Sequence, residues 1–259
     1  MAAEQPIDTH TNSDHEPGLN KFFRAAIKTQ ANDLHLKVGQ PPKLRILGEL
    51  KNLKGELMTQ QRIEELVFEI LSPAQKAFFL KNGTVDFAYE IGDEDRFRIN
   101  VFRQRGMISL AARRVSAYVP PFEELHLPPI LEKIADGTQG LVLVVGPTGC
   151  GKTTTIASMI DHVNRTRSCH IVTVEDPIEY LFKDKKAIVS QREVGIDTQD
   201  FEQALTYLMR QDPDVVFIGE MRDAQTVIAG MRAAETGHLV FGTMHSANAS
   251  QAVHRLLDL

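Results

Sequence analysis

The stretch GPTGCGKT at residues 146–153 decides the fold. It satisfies the pattern GxxxxGK[ST], in which glycines let backbone amides turn towards phosphate oxygens. An aliphatic run precedes it at 141–145 and a helical pattern follows at 154–163, which is the strand, loop and helix order that the motif requires. We therefore predict a phosphate-binding loop. Its predicted nucleotide-binding residues are Gly146, Thr148, Gly149, Cys150, Gly151, Lys152, Thr153 and Thr154.

The end of this motif predicts the ligands. Lys152 would place a positive charge on the β and γ phosphates, and the Thr153 hydroxyl would ligate Mg²⁺ beside the helix N-terminus. No NKxD element follows, so the carboxylate that usually selects guanine is missing. ATP and Mg²⁺ are the predicted ligands, and GTP is disfavoured.

The second half of the chain alternates strand-like and helical patterns. Such alternation predicts βαβ units around a mostly parallel sheet, a doubly wound α/β fold. The strand-like segments are LVLVV at 141–145, HIVTV at 170–174, VVFI at 215–218 and LVFGT at 239–243.

The first half mixes both periodicities and predicts a smaller α+β domain. A capping box with a first-turn proline, Ser72-Pro73-Ala74-Gln75, starts a helix that should end before Gly83. The other predicted elements are helices over 19–27 and 63–71, a strand over 34–38, and strands over 85–91 and 97–101 around a Gly92-Asp93 turn.

Proline and charge distribution suggest the domain boundaries. Four prolines between Tyr118 and Pro129 predict a linker, and the acidic, aperiodic first 18 residues predict a disordered leader. The predicted division is a leader at 1–18, an α+β domain at 19–117, a linker at 118–129 and an α/β P-loop core at 130–259.

Composition excludes several classes of protein. The chain has 259 residues, 42% of them hydrophobic and 24% charged, which is typical of a globular protein. Its net charge of −5 comes mostly from the leader, so the body lacks the basic footprint of a nucleic-acid-binding protein. The longest aliphatic runs are too short to span a bilayer, which predicts a cytoplasmic protein. Cys150 and Cys169 form no CxxC pair, so a cysteine zinc site is not supported.

Two strand ends carry acidic residues. The strand at 215–218 runs into Gly219 and Glu220 rather than the aspartate usual in nucleotide hydrolases. The strand at 170–174 runs into the segment Glu175-Asp176-Pro177-Ile178-Glu179, which carries three acids. Ligands bind outside the carboxyl ends of strands in open α/β sheets. We therefore expect these acids near Lys152, with Thr153, Glu220 and Glu175 as candidate metal ligands.

Four motifs together resemble the secretion and pilus ATPase superfamily: GPTGCGKT, TVEDPIEY, IGEMRD and AETGHLVFGTMHSANA. The likeness is greatest to the type IV pilus retraction ATPases of the PilT/PilU kind. The segments NDLHLKVGQPPKLRILGEL and RFRINVFRQRG are similar to the family's N-terminal PAS-like domain. The resemblance implies a RecA-like core that hydrolyses ATP in a ring-shaped homohexamer and powers pilus retraction and twitching motility.

The resemblance also implies roles for single residues. Glu179 matches the last acid of the Asp box, the base that polarises the attacking water, and Glu220 stands at the Walker B position. His238 and His245 match the His box, where a γ-phosphate sensor is implied. The resemblance further implies that several arginines reach nucleotide bound to the core of an adjacent subunit. They are Arg98, Arg105 and either Arg113 or Arg114.

Partners and location follow from the same resemblance. They are other copies of this chain, an inner-membrane pilus platform protein and, as a further candidate, a paralogous retraction ATPase. Nucleic acid is not expected. The protein is expected in the cytoplasm at the pilus base, peripheral to the inner membrane and not inserted in it.

The chain departs from the family pattern in three places. Cys150 stands where serine is usual, Ser246 replaces a common threonine, and the sequence stops at Leu259, where the family continues into a C-terminal helical region. We therefore expect that helical region to be missing, and expect this chain to bind nucleotide without supporting retraction.

Other readings remain open. A pilus-assembly or type II secretion ATPase is a close alternative, although an additional N-terminal domain and a four-cysteine zinc element are common there and absent here. A catalytically silent nucleotide-binding accessory subunit belongs to another class, and only the acidic cluster argues against it. A nucleic-acid translocase is disfavoured by the nearly neutral body.

Overall fold

The computed structural model describes residues 16–92 and 95–258. The chain divides into two compact units, Met1–Arg114 and Val115–Leu259. Most of the predicted leader lies outside the described residues, but Gly18 donates its amide hydrogen to Glu69 Oε2 at 2.7 Å. Residues 118–129, predicted as a linker, belong to the second unit, where Phe122 is buried. None of the described helices is long and apolar enough to cross a membrane.

In the described part of the first unit, three helices pack with a six-stranded sheet. The strand order is β3-β2-β1-β6-β5-β4, and each pair with a described register is antiparallel. The elements are α1 (Asn20–Lys28), β1 (Asp33–Lys37), β2 (Lys43–Ile46), β3 (Glu49–Asn52), α2 (Gln60–Ile70), α3 (Pro73–Asn82), β4 (Thr84–Ile91), β5 (Asp95–Gln104) and β6 (Met107–Val115).

Local signals in the first unit form as the sequence predicts. Ser72 Oγ accepts from the Gln75 amide while Gln75 Oε1 accepts from the Ser72 amide, so the capping box is confirmed. The helix ends at Gly83, whose φ of 76° lies in the left-handed region that glycine adopts without strain. Phe23 and Phe97, both fully buried, stack with ring centroids 4.4 Å apart in the core between helix and sheet.

The second unit surrounds a five-stranded sheet in which every pair is parallel, in the order β7-β11-β10-β8-β9. This confirms the predicted parallel α/β sheet. Its elements are α4 (Ile130–Ala135), β7 (Gly140–Val145), α5 (Lys152–Thr166), β8 (His170–Glu175), β9 (Ile188–Glu193), α6 (Phe201–Leu208), a 3-10 turn (Met209–Gln211), β10 (Val215–Ile218), α7 (Ala224–Glu235), β11 (Leu239–Met244) and α8 (Ala249–Asp258).

Buried aliphatic strands position the polar ends of this sheet. All residues of β10 and β11 are buried, and apolar clusters lie on both faces of the sheet. Because the strands are parallel, the segments after β7, β8, β10 and β11 emerge at one edge. The phosphate-loop motif follows β7, and acidic residues follow β8 and β10.

Candidate active site

The phosphate-loop motif forms a tight turn between β7 and α5. Gly149 and Gly151 have φ angles of 78° and 96°, a backbone conformation that costs residues with a Cβ. Lys152 is 9% exposed, and its Nζ donates to the carbonyl oxygens of Gly146 and Pro147 at 3.0 Å each. These bonds hold the ammonium group against the loop at the start of α5.

A cavity of about 400 Å³ adjoins this loop at the carboxyl edge of the sheet. Its wall combines the loop with the ends of β8, β10 and β11, so the predicted convergence on one edge is observed. The lining residues are Thr148, Gly149, Gly151, Lys152, Thr153, Thr154, Glu175, Asp176, Pro177, Glu179, Phe217, Gly219, Glu220, Thr243 and His245. Gly146 and Cys150, both predicted to bind nucleotide, are not in this set.

Glu175 is a buried carboxyl group at the end of β8, 3% exposed. Its Oε1 accepts hydrogen bonds from Thr173 Oγ1 at 2.7 Å and Gln191 Nε2 at 3.1 Å. Burial raises the pKa of Glu175 from 4.5 to about 7, because removal from water penalises the charged form more than these bonds favour it. A cation in the cavity would favour the ionised form.

Glu220 lies at the end of β10 and is partly exposed. Its carboxylate accepts from Arg222 at 2.6 Å and lies 3.3 Å from His245 Nε2. The hydrogen bond with Glu220 raises the pKa of Arg222. A Cβ on Gly219, the residue before Glu220, would lie 3.1 Å from the Cα of Glu175, so a larger residue there would require the two strand ends to move apart by a few tenths of an ångström. This close approach brings the ends of β8 and β10 together.

Glu179 and Asp176 are exposed residues of the segment that follows β8, and both line the cavity. The neighbouring Ile178 is 2% exposed, so it anchors the segment in the core. Tyr180 bonds through its hydroxyl to Thr154 Oγ1 at 3.1 Å. Glu179 thus lies between two held residues and faces the same cavity as Lys152, a placement compatible with its predicted role.

The structure separates the two predicted histidines. His245 follows β11 and lines the cavity, whereas His238 precedes the same strand and bonds the Ala233 carbonyl through Nδ1 at 2.9 Å. At about 3.3 Å per residue, a strand of this length puts roughly 20 Å between them. His238 is therefore not brought to the phosphate loop, and the predicted sensor role within this site fits His245 alone.

The predicted arginines all lie in the first unit, in different surroundings. Arg114 pairs with the buried carboxylate of Asp95 and is 15% exposed. Arg113 pairs with Asp33 at 3.0 Å, but 73% of its side chain is exposed. Arg98 is exposed and shares a surface pocket with Arg113, whereas Arg105 is exposed in the turn after β5, with a φ of 49°.

Mg²⁺ takes oxygen ligands, and the cavity offers carboxylates and a hydroxyl. Within the described ranges, no three His, Cys, Asp or Glu side chains form a group that could hold a metal ion. Mg²⁺ in nucleotide sites is usually held by one or two carboxylates, hydroxyls and the substrate phosphates rather than by a protein cage. Thr153, Glu175 and Glu220 line one cavity with Lys152, so these residues fit a nucleotide-bound Mg²⁺.

The family model for type II/IV secretion system proteins matches residues 122–259. The chain belongs to this family. Among its relatives, the type IV pilus retraction ATPase PilT of Pseudomonas aeruginosa is 40% identical over 241 residues, 93% of this chain and 70% of PilT. PilU of the same organism is 38% identical over 239 residues, 92% of this chain and 63% of PilU.

A solved structure shows the same fold. The pilus retraction motor PilT with bound ADP superposes with a TM-score of 0.84 at 48% identity, covering 92% of this chain and 70% of that one. These comparisons confirm the predicted α/β ATPase fold and the PilT/PilU-type membership of this secretion ATPase. The protein is accordingly an ATPase that uses ATP.

Several site residues of this secretion ATPase were missed in the sequence. Gln191, Thr243 and Arg222 contact the acidic residues or the strand ends that carry them; Thr243 Oγ1, for example, donates to the Gly219 carbonyl at 2.6 Å. Strand alternation could have identified Thr243, since it shares the carboxyl end of β11 with His245. Gln191 required knowing that β9 pairs with β8.

Proposed function

We propose that this secretion ATPase is a motor subunit that hydrolyses Mg-ATP to power type IV pilus retraction. The observation that carries the proposal is one cavity in which a phosphate loop with Lys152 meets the acids of two neighbouring strand ends. The chain spans 70% of the length of the retraction ATPase PilT, but only 44% of the type IV pilus assembly ATPase PilB of Myxococcus xanthus and 22% of type II secretion system protein E of Xanthomonas campestris, which favours retraction over the assembly and secretion alternatives.

Each residue in the cavity has a proposed task. Lys152 offsets the negative charge of the β and γ phosphates, and Thr153, Glu175 and Glu220 support Mg²⁺, whose chemistry is to neutralise charge developing on the phosphates. Glu179 polarises the attacking water, because it is an exposed carboxylate that lines the cavity and lies between the buried Ile178 and Tyr180, whose hydroxyl bonds Thr154. His245, which contacts Glu220, senses whether the γ-phosphate is present.

The arginine delivered to a neighbouring subunit is proposed to be Arg113 rather than Arg114. An arginine that reaches another molecule needs an accessible guanidinium, and Arg113 is 73% exposed where Arg114 is 15% exposed. Moving Arg114 would also break its ion pair with the carboxylate of Asp95, which is 5% exposed, and breaking a buried ion pair is costly. Arg98, which shares a surface pocket with Arg113, and Arg105 are proposed as further cations that reach the neighbouring subunit.

Delivery in trans implies an assembly. We propose a homohexameric ring at the pilus base, in the cytoplasm beside the inner membrane, acting on the pilus platform protein and alongside a paralogous retraction ATPase. Head-to-tail contacts close into a ring when the rotation between subunits matches the subunit number. The proposed assembly includes no nucleic acid.

Mixed rings test the trans arginine. Arg113→Ala subunits and Lys152→Ala subunits should each be inactive alone and recover part of the ATP turnover when mixed, since each supplies what the other lacks. Arg114→Ala is the comparison variant, expected to lose stability instead. Failure of every mixture to recover turnover would contradict delivery in trans.

The function itself is tested in cells and by turnover. We expect ATP hydrolysis to exceed GTP hydrolysis and to be insensitive to DNA. A chimera in which this chain replaces the matching region of Pseudomonas aeruginosa PilT should restore twitching motility to a strain lacking PilT, with the Lys152→Ala chimera as control. Active ATP hydrolysis without restored motility would reject retraction while retaining the ATPase.

A further inference from the structure

The acidic segment between β8 and β9, residues 176–187, contains no helix or strand. It carries Glu179, so something outside it must fix the path of its backbone. One support is a backbone bond from the Leu181 amide to the Ser116 carbonyl at 2.9 Å. A side chain of β9 supplies further support.

Gln191 uses both ends of its amide group on this segment. Its Nε2 donates to the Tyr180 carbonyl at 2.9 Å and to Glu175 Oε1 at 3.1 Å. Its Oε1 accepts from the Phe182 amide at 2.8 Å. One side chain therefore joins the end of β8 to two backbone positions of the acidic segment, and three hydrogen bonds fix its own rotamer.

The strand register explains why Gln191 reaches these groups. It lies opposite Thr173 in the parallel β8–β9 pair, and Thr173 and Glu175 are two residues apart on one face of β8. Thr173 Oγ1 and Gln191 Nε2 consequently meet at the same oxygen of Glu175.

Tyr180 continues the connection to the phosphate loop. Its carbonyl is held by Gln191, and its hydroxyl bonds Thr154 Oγ1, in the first turn of α5, beside Thr153. Glu179 immediately precedes this doubly held residue. A shift of the Tyr180 backbone would therefore move Glu179 relative to the phosphates.

We propose that Gln191 is a positioning residue, which holds the acidic segment so that Glu179 faces the nucleotide. The inference rests on the proposed role of Glu179 and adds to it a residue that is not among those lining the cavity. A misplacement of about 1 Å costs on the order of a hundredfold in rate when geometry limits the reaction. Nucleotide binding, which depends on the phosphate loop, is not part of this role.

Gln191→Met tests the proposal, because it keeps the length of the side chain and removes all three hydrogen bonds. We expect kcat to fall about ten- to hundredfold while the Kd of a fluorescent ADP analogue changes less than about threefold. Ser190→Ala is the matched control on the same strand: it removes a bond to His170 Nε2 away from the cavity and should leave kcat within about twofold. Unchanged kcat in Gln191→Met, or an equal loss of ADP affinity, would overturn the proposal.

A double mutant separates positioning from a general structural effect. If Gln191 acts through Glu179, Gln191→Met should lower single-turnover rates no further once Glu179→Ala is present. An additional loss equal to that in the wild-type background would overturn the proposal. Normal turnover in Glu179→Ala alone would instead reject the proposed role of Glu179 itself.

Gln191→Glu is a second variant, which tests the proposal if Gln191→Met fails to fold. It has nearly the same shape and keeps the acceptor for the Phe182 amide, but it replaces the donor to Tyr180 and Glu175 with an oxygen. Its kcat should fall at least as far as that of Gln191→Met, with a melting temperature that shows a folded protein. Wild-type kcat in this variant would contradict the requirement for the donor.

Discussion

The two sides of the cavity are built in different ways. The phosphate loop is a short-range structure: Gly149 and Gly151 set its backbone, and Lys152 bonds to carbonyls five and six residues before it. The acidic side is a long-range structure, in which Glu175 and the segment after it are held by side chains from other elements. Binding and turnover should therefore depend on different sides.

The largest effect is expected on the acidic side, from Glu179→Ala. Loss of a group that polarises water should lower kcat about 10²- to 10⁴-fold, because such a group acts mainly in the transition state. ADP affinity should stay close to that of the wild type. Single-turnover hydrolysis and equilibrium binding measure the two quantities. Parallel losses of both would show that the two sides are not separable.

The phosphate loop should give the opposite result. Lys152→Ala removes the charge that is proposed to offset the phosphates, and hydrogen bonds of charged groups contribute about 1.5–3 kcal/mol. We expect ATP affinity to fall roughly ten- to hundredfold, measured by isothermal titration calorimetry. Lys133→Ala, an exposed lysine of α4, is the control. Unchanged affinity in Lys152→Ala would refute the assignment of the loop.

Glu175→Gln tests the acidic side through the pH dependence of the free energy of unfolding. The raised pKa of Glu175, about 7 against an ordinary 4.5, means that the folded protein binds more protons than the unfolded chain between these values. The stability contributed by this group is therefore present at low pH and lost as pH rises through that window, by roughly 3 kcal/mol at most.

The variant removes that dependence. In EDTA and without nucleotide, Glu175→Gln should be stabilised relative to the wild type more at pH 8 than at pH 5, as measured by urea unfolding. The exposed substitution Glu202→Gln should show no such difference. An equal effect of Glu175→Gln at both pH values would show that the carboxyl group does not titrate in this window.

The same contrast explains what the sequence could predict. The phosphate loop was placed residue by residue because its pattern specifies a backbone shape, and the parallel strands were found from their aliphatic runs. The acidic residues were assigned to one sheet edge from the carboxyl-end rule. The separation of His238 from His245 could also be predicted from the sequence, since a six-residue strand lies between them.

Other features depend on which elements are neighbours. Gln191 became visible only through the pairing of β9 with β8, and β9 itself lacks an aliphatic run. The choice between Arg113 and Arg114 depends on their partners Asp33 and Asp95, which lie far away in sequence. Alternation along a strand predicts the face of the sheet on which a side chain lies, but not which side chain of a neighbouring element contacts it.

The smallest expected effect concerns the one side-chain bond that joins the two sides of the cavity through Tyr180. Thr154→Val keeps the shape of the side chain and removes the 3.1 Å bond to the Tyr180 hydroxyl. A neutral hydrogen bond contributes about 1 kcal/mol, so kcat should fall about fivefold.

Thr155→Val, in the same helix turn, removes only a bond to the Gly151 carbonyl and is the matched control. If the acidic side is as dependent on remote contacts as its hydrogen bonds indicate, Thr154→Val should lower kcat more than it lowers ADP affinity, whereas Thr155→Val should leave kcat within about twofold. Equal effects of the two substitutions would mean that the bond to Tyr180 does not couple the two sides.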